Sequence, residues 1–279
     1  MREKLSLKNG KTLKGRYTKV NKALLLLLAL PVITVIAVYY LITYKLGVPT
    51  TPSAISPTPT ATASTLKKLK EIKIEGTAYR YTFIEISPNN IRLYPNFDIR
   101  QSAKNLVSEY SCSFLTNGSY YSEENKPLGW IVSQGKEIAK ENKSLLMNSY
   151  LSISNEGRAS LSFEKPNLPV LWGLQTGPML VANKEKQLLE IKNDEEARRV
   201  VVGITEQNTL IFTVIVGNSS VTDGPFLKDL PDILTELNKQ ENINLTSATN
   251  LDGGSASAFI TEDVAIYEYT WIGSFFCYR

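Results

Sequence analysis

The stretch RRVVVGITEQNTLIFTVIVG, residues 198–217, decides how this chain folds. Residues 200–205 and 209–216 are two β-branched runs separated only by Glu206, Gln207 and Asn208. Branched side chains suit a pleated, packed surface, so the pattern predicts a hairpin. Upstream, residues 71–76, 79–86 and 90–94 alternate or run apolar and predict strands. Residues 112–116, 130–132, 145–153, 159–163 and 179–181 are further strand candidates, and 258–261 and 264–267 close the sheet. Helices are few. One is expected over 99–109. In the other, Leu227, Leu230, Ile233, Leu234 and Leu237 make one apolar face at helical spacing. Pro231 is tolerated only in a first turn, which starts that helix near Lys228. The expected class is α+β: a single strand-rich mixed domain with two main helices.

Charge is unevenly placed along the chain. The 279 residues carry 31 basic and 27 acidic groups. The first 45 residues hold nine of the basic groups and one acidic, which leaves 22 and 26 for residues 46–279. The basic balance belongs to the tail, and nucleic-acid binding is not expected. Residues 23–44 are 22 residues without a charge, about the length that crosses a bilayer. Pro31 does not exclude a span. The basic flank, residues 1–22, puts the N-terminus in the cytoplasm and the rest outside. The apolar run is longer than the ~7–15 residues of a cleaved signal, so an uncleaved, single-pass signal anchor in the cell membrane is expected. Residues 45–65, rich in Pro, Thr and Ser, read as an extended tether, and residues 66–279 as one domain.

Two absences narrow the chemistry. The chain has no histidine, which removes Ser-His-Asp and Cys-His arrangements and every His-containing zinc site. It has two cysteines, Cys112 and Cys277, too few for a thiolate cluster. In an oxidising exterior they pair, or they remain two separate thiols; the spacing does not decide between these.

Downstream of the hairpin lies NLDGGSAS, residues 250–257. A helix and then the approach to a strand precede it, so Asp252 should sit at a strand end where the chain turns. The glycines let backbone amides come close to a ligand. Asp-Gly-Gly alone is an ordinary turn. It has company in fixed order: NGSYY at 117–121, PLGWIVSQGK at 127–136, QTGPMLV at 175–181 and RRVVVGI at 198–204. The series, over about residues 74–260, resembles the phosphodiester glycosidase family. That family shows Asn-Gly-Gly-Phe-Phe, Gly-Pro with apolar neighbours, Arg-Thr-Ala-Ile-Gly and Leu-Asp-Gly-Gly-Gly-Ser. Departures here are Ser119 for the second Gly, Tyr120-Tyr121 for Phe-Phe, Val200 for Thr, Ser255 for the third Gly and Ala256 for Ser.

The resemblance implies cleavage of a sugar from a phosphodiester at its C1–O bond. A phosphate monoester leaves with little protonation, so the usual pair of carboxylates is relaxed to one, with a cation on the phosphate. Asp252 is the expected carboxylate, as nucleophile, base or stabiliser of the oxocarbenium-like state. Arg199 matches the motif arginine and would hold phosphate oxygens in a fork, against the plain alternative of an ion pair with Asp194, Glu195 or Glu196. Arg198 would point to the other strand face and is expected to make that surface pair. Asn117 completes the expected catalytic set by bonding sugar hydroxyls or orienting Asp252. Gly118, Tyr121, Thr176, Gly177, Gly253, Gly254, Ser255 and Ser257 are the expected substrate contacts, Tyr121 by stacking on a sugar face.

No cofactor is expected. Glu123, Glu124 and Asp223 are candidates for a calcium ion, or else solvated loop charges. The expected partners are the membrane and a phosphodiester-linked sugar or anionic envelope glycan. A non-catalytic glycan-binding module of the same fold is the alternative to a hydrolase. It would keep the glycine loops and Arg199 without using Asp252 as a reactive group.

Overall fold

The computed structural model describes residues 59–167 and 169–279. The basic tail, the expected anchor at 23–44 and most of the expected tether lie outside the described residues. The first described element is a helix, α1 (Pro59–Lys68), which begins inside the stretch expected to be extended. No helix among the described residues is long and apolar enough to cross a membrane.

From there the chain is mostly strand. A hairpin, β1 (Lys70–Ile74) and β2 (Thr77–Ile86), leads to β3 (Ile91–Pro95), α2 (Ala103–Tyr110) and β4 (Phe114–Asn117). Then come β5 (Ile131–Ser133), β6 (Lys136–Ala139), β7 (Ser149–Ser154), β8 (Ala159–Ser162), β9 (Val170–Thr176), β10 (Met179–Ala182) and β11 (Glu185–Lys186). The hairpin that opened the sequence reading is β12 (Arg199–Thr205) and β13 (Leu210–Gly217). It is followed by α3 (Leu230–Glu241), β14 (Leu245–Asn250), β15 (Phe259–Ile260), β16 (Ala265–Ile266) and β17 (Ser274–Tyr278). The fold is strand-rich α+β, and the described helices are three rather than two because α1 joins the two expected ones.

The strands form three sheets, ordered β1-β2-β13-β12-β14-β10-β11, β16-β15-β4-β17-β3 and β6-β5-β9-β7-β8. The β12–β13 hairpin is central to the first, with Val200 opposite Val214 and Val202 opposite Phe212. Its strands read as continuous apolar runs because both faces are covered. Val200, Val202, Phe212 and Val214 join a core shared with Leu93, Phe114 and Phe276 of the second sheet and Ile131, Leu151 and Trp172 of the third. Val201 and Ile215, one residue out of phase, pack with Leu230, Ile233, Leu234 and Leu237 of α3. Pro231 sits in the first turn of that helix, after a short 3-10 turn over Leu227–Asp229.

Several boundaries shift for local reasons. α2 starts at Ala103, not at residue 99, because the Ser102 hydroxyl accepts from the Asn105 amide and caps it. The strand expected over 145–153 begins only at Ser149. Four strands had no sequence forecast: the short edge strands β6 and β11, β17, and β9 at the centre of the third sheet. In β9 the pattern is broken by Gly173, where an added Cβ would meet the Trp130 ring at 2.6 Å. Cys112 and Cys277 are disulfide-bonded, with Cα atoms 5.4 Å apart. The bridge ties β17 to the residue pair ahead of β4 across 165 positions.

Candidate active site

β14 lies between β12 and β10, and its end delivers Asp252. The turn that follows is held from behind. The Leu251 amide donates to the Val200 carbonyl at 2.9 Å, the Asp252 amide to Gly118 at 3.2 Å and the Gly254 amide to Arg198 at 2.9 Å. Gly254 takes φ +63°, a conformation that favours glycine. Ser255 is held from the far side, its carbonyl accepting from the amides of Tyr269 and Thr270.

A cavity of about 760 Å³ opens in front of this turn. Asp252, Gly253, Gly254 and Ser255 line it, with Arg199, Tyr121 and Gly177 from the other motifs. The arrangement puts the Asp252 carboxyl and the Arg199 guanidinium on the walls of the same cavity. Removal from water pushes the Asp252 carboxyl up to about 8, with the Gly253 amide pulling the other way. Among the described residues no ion pair involves Asp252. A carboxyl in that state holds its proton more tightly than one in water.

Arg199 reaches the cavity while tethered at its back. Its Nε donates to the Pro225 carbonyl at 3.1 Å, and its Nη2 pairs with Asp194 at 3.5 Å and bonds the Glu195 carbonyl. Asp194 is also the hub of the neighbouring turn, accepting from the amides of Leu227 and Lys228 at 3.0 and 2.9 Å. The ion pair with Asp194, the plain alternative for Arg199, is present, and the side chain lines the cavity as well. Burial lowers its pKa, and Asp194 opposes that shift.

Arg198 departs from its expected role. It is 1% exposed rather than on the surface, and it makes no pair with the acids at 194–196. Its Nε donates to the Gly254 carbonyl at 2.8 Å and to the Ser257 hydroxyl at 2.7 Å, and its Nη1 to the Tyr267 carbonyl at 2.8 Å. Its guanidinium also stacks 4.9 Å from the Tyr269 ring centre. It is the post behind the Asp-Gly-Gly turn, and burial lowers its pKa to about 10.

Four expected contacts are likewise behind the wall, not on it. Asn117 is buried, its Nδ2 donating to the Asp252 carbonyl at 2.6 Å and its Oδ1 accepting from the Ala258 amide at 3.0 Å. Its amide group is thus spent on backbone at both ends of the turn. It sets where Asp252 sits but does not face the cavity. Gly118 packs on Ser274, whose Oγ an added Cβ would meet at 2.5 Å. The Thr176 hydroxyl donates to the Asn250 carbonyl at 2.7 Å, and the Ser257 hydroxyl to Gly254 at 2.7 Å. In each case a small polar side chain satisfies a buried backbone group.

Tyr120, not forecast as a contact, lines the cavity. Its hydroxyl donates to the Gly177 carbonyl at 2.7 Å and accepts from Asn250 Nδ2 at 2.6 Å. That knot joins three motifs, and burial raises the Tyr120 pKa, with Asp252 adding to the rise. Only its place beside Tyr121 in NGSYY signalled it. Tyr121 donates to the Trp271 carbonyl at 2.6 Å while its ring packs on Trp271. Gly177 must lack a side chain, since a Cβ there would lie 2.1 Å from the Leu146 carbonyl oxygen. Of the calcium candidates, Glu123 lines the cavity and Asp223 lies beside Gly217. Among the described residues no three potential metal-binding side chains converge.

A strand-rich domain that gathers these motifs on one cavity defines a glycosidase class, and the sequence profile of phosphodiester glycosidases matches residues 110–272. The chain belongs to that family. Its fold is similar to the zebrafish N-acetylglucosamine-1-phosphodiester alpha-N-acetylglucosaminidase catalytic domain auto-inhibited by its pro-peptide: TM-score 0.60, 15% identity, over 76% of this chain and 81% of that one. A hypothetical protein from Synechocystis shares the fold at TM-score 0.54 and 12% identity, over 76% of this chain and 61% of that one. No curated protein matches the chain.

Proposed function

We propose that this protein is a membrane-anchored hydrolase, working outside the cytoplasm, that cleaves the glycosidic bond of a sugar-1-phosphodiester in envelope or extracellular glycans. The observation that carries the reading is the Asp252 carboxyl and the Arg199 guanidinium on the walls of one cavity. The uncharged run at 23–44 behind a basic tail supports the anchor. The Cys112–Cys277 disulfide supports an oxidising exterior.

In this reading the bond between C1 and the bridging oxygen breaks, and its electron pair leaves with the phosphate monoester. Arg199 holds the phosphate oxygens as that charge develops, where a donor in a dry site is worth about 10²–10³ in rate. Asp252 faces the electron-poor C1, and water supplies the hydroxyl that completes the free sugar. A carboxyl with a pKa near neutrality is suited to exchanging a proton with that water. The Tyr120–Asn250–Gly177 knot and the Arg198 post keep the turn rigid, so Asp252 does not drift from C1.

The test incubates the full-length protein with sugar-1-phosphodiesters and assays free reducing sugar. Asp252→Asn and Arg199→Ala run beside the wild type. Release that falls about 10³-fold in Asp252→Asn and about 10²-fold in Arg199→Ala supports the reading. Release that is unchanged in Asp252→Asn removes this site from the chemistry. Binding of sugar phosphates without release, unaffected by Asp252→Asn, would leave a glycan-binding module.

A further inference from the structure

The cavity is not polar throughout. Leu128, Leu146, Met147, Ile191 and Leu227 line it together with the Asp252 turn and Arg199. Sugar hydroxyls have partners elsewhere on the same walls, in Ser122, Glu123, Lys192 and Asn193. The apolar side chains have no such task. They also continue outward: Leu146 is 48% exposed and its neighbour Leu145 is 95% exposed, two consecutive leucines turned to water beside the cavity. Their segment is fixed in place, because the Leu146 carbonyl packs directly on Gly177 of the Gly-Pro corner.

We propose that the phosphodiester this cavity takes carries an apolar aglycone: a sugar-1-phosphate esterified to an alkyl or isoprenoid alcohol. The proposal rests on the hydrolase reading above for its sugar and phosphate ends. The alcohol beyond the phosphate meets mainly apolar side chains on the Leu146 wall, where Ser144 is the one polar side chain and already accepts from the Met147 amide, so a hydroxylated alcohol would lose water there with little to replace it. An alkyl chain instead covers the exposed leucines, and each methylene so buried is worth roughly a fourfold gain in affinity. Such a substrate lies at a bilayer surface, within reach of a domain whose sequence carries the uncharged run at 23–44.

The test uses methyl, butyl and octyl esters of N-acetylglucosamine-1-phosphate with the full-length protein in one fixed detergent. The variant Leu145→Ser/Leu146→Ser replaces only half-exposed or exposed side chains and should fold. The expected result is kcat/KM rising at least about tenfold from methyl to octyl, mainly through KM, with the rise flattened in the variant. Equal kcat/KM for all three esters, with sugar released, overturns the apolar aglycone and keeps the hydrolase. If none of the esters releases sugar, the hydrolase reading fails, and calorimetric binding of the same esters decides this one. Octyl binding at least tenfold tighter than methyl, lost in the variant, supports it; equal or absent binding overturns it.

Discussion

The turn from Asp252 to Ser257 has a front and a back, and the two are built from different chemistry. On the front, Asp252, Gly253, Gly254 and Ser255 face a cavity, and the one carboxyl there has no cation to neutralise it. On the back, Arg198, Asn117 and Ser257 bond carbonyls, amides and one another, and they are buried. Adjacent residues divide the same way: Arg199 goes forward and Arg198 backward, because β12 alternates its side chains. The lesson is that one sequence motif mixes two functions. Front residues include a carboxyl that burial has shifted and that pairs with no cation among the described residues. Back residues bond the backbone of the turn so that the front holds still.

The largest effect expected from that division is at Asp252. Asp252→Asn should lower kcat about 10³-fold while making the protein more stable. The sign follows from the raised pKa. A carboxyl at about 8 in the fold and at its ordinary 3.8 when unfolded binds its proton more tightly folded. Its contribution is neutral below about pH 4 and becomes destabilising as pH rises toward 8. Thermal melts of the two proteins should therefore coincide at pH 4 and separate above it, the variant melting higher. A variant that melts lower at pH 8 would make Asp252 a structural anion and abolish the distinction between front and back. The pH profile of kcat/KM sharpens it further: a rise to a plateau above about pH 8 means Asp252 works ionised, and a fall through that window means it works as an acid. Next in size is Arg198→Ala, which takes the side-chain donor from the Tyr267 carbonyl and one donor each from the Gly254 carbonyl and the Ser257 hydroxyl. It should cost about 3 kcal/mol in denaturant unfolding, since removing one member of a buried charged network leaves its partners unpaired.

Much of this was legible in the sequence, and the failures have physical causes. The β12–β13 hairpin showed because its β-branched runs are buried on both faces, and Asp252 was placed at a strand end because β14 runs into two glycines. β9 did not show, because Gly173 interrupts its run to make room for Trp130. Arg198 was misplaced because the acids at 194–196 are near in sequence, whereas its real partners are the carbonyls of Gly254 and Tyr267. Asn117, Gly118, Thr176 and Ser257 were expected on the substrate because a motif gives residue types and order, not the side of the wall on which each stands. The pairing of Cys112 with Cys277 was undecided because only the β4–β17 register brings them together.

The smallest and most discriminating effect is at Ser257, where the two sides meet within one residue of Ala256 on the cavity wall. Its hydroxyl donates to the Gly254 carbonyl and accepts from Arg198 Nε, both at 2.7 Å. Ser257→Ala removes one donor and one acceptor but leaves Arg198 its bonds to Gly254 and Tyr267, so the loss should be about 1 kcal/mol. That corresponds to a fall in Tm of about 2–4 °C for a domain of this size. KM and kcat should stay within about twofold, because Ser257 is buried and does not line the cavity. A substrate-binding serine would give the opposite signature, KM raised about tenfold with Tm unchanged. Since both quantities come from one variant, a high KM at constant Tm would move Ser257 to the front and with it redraw where the wall of the cavity ends.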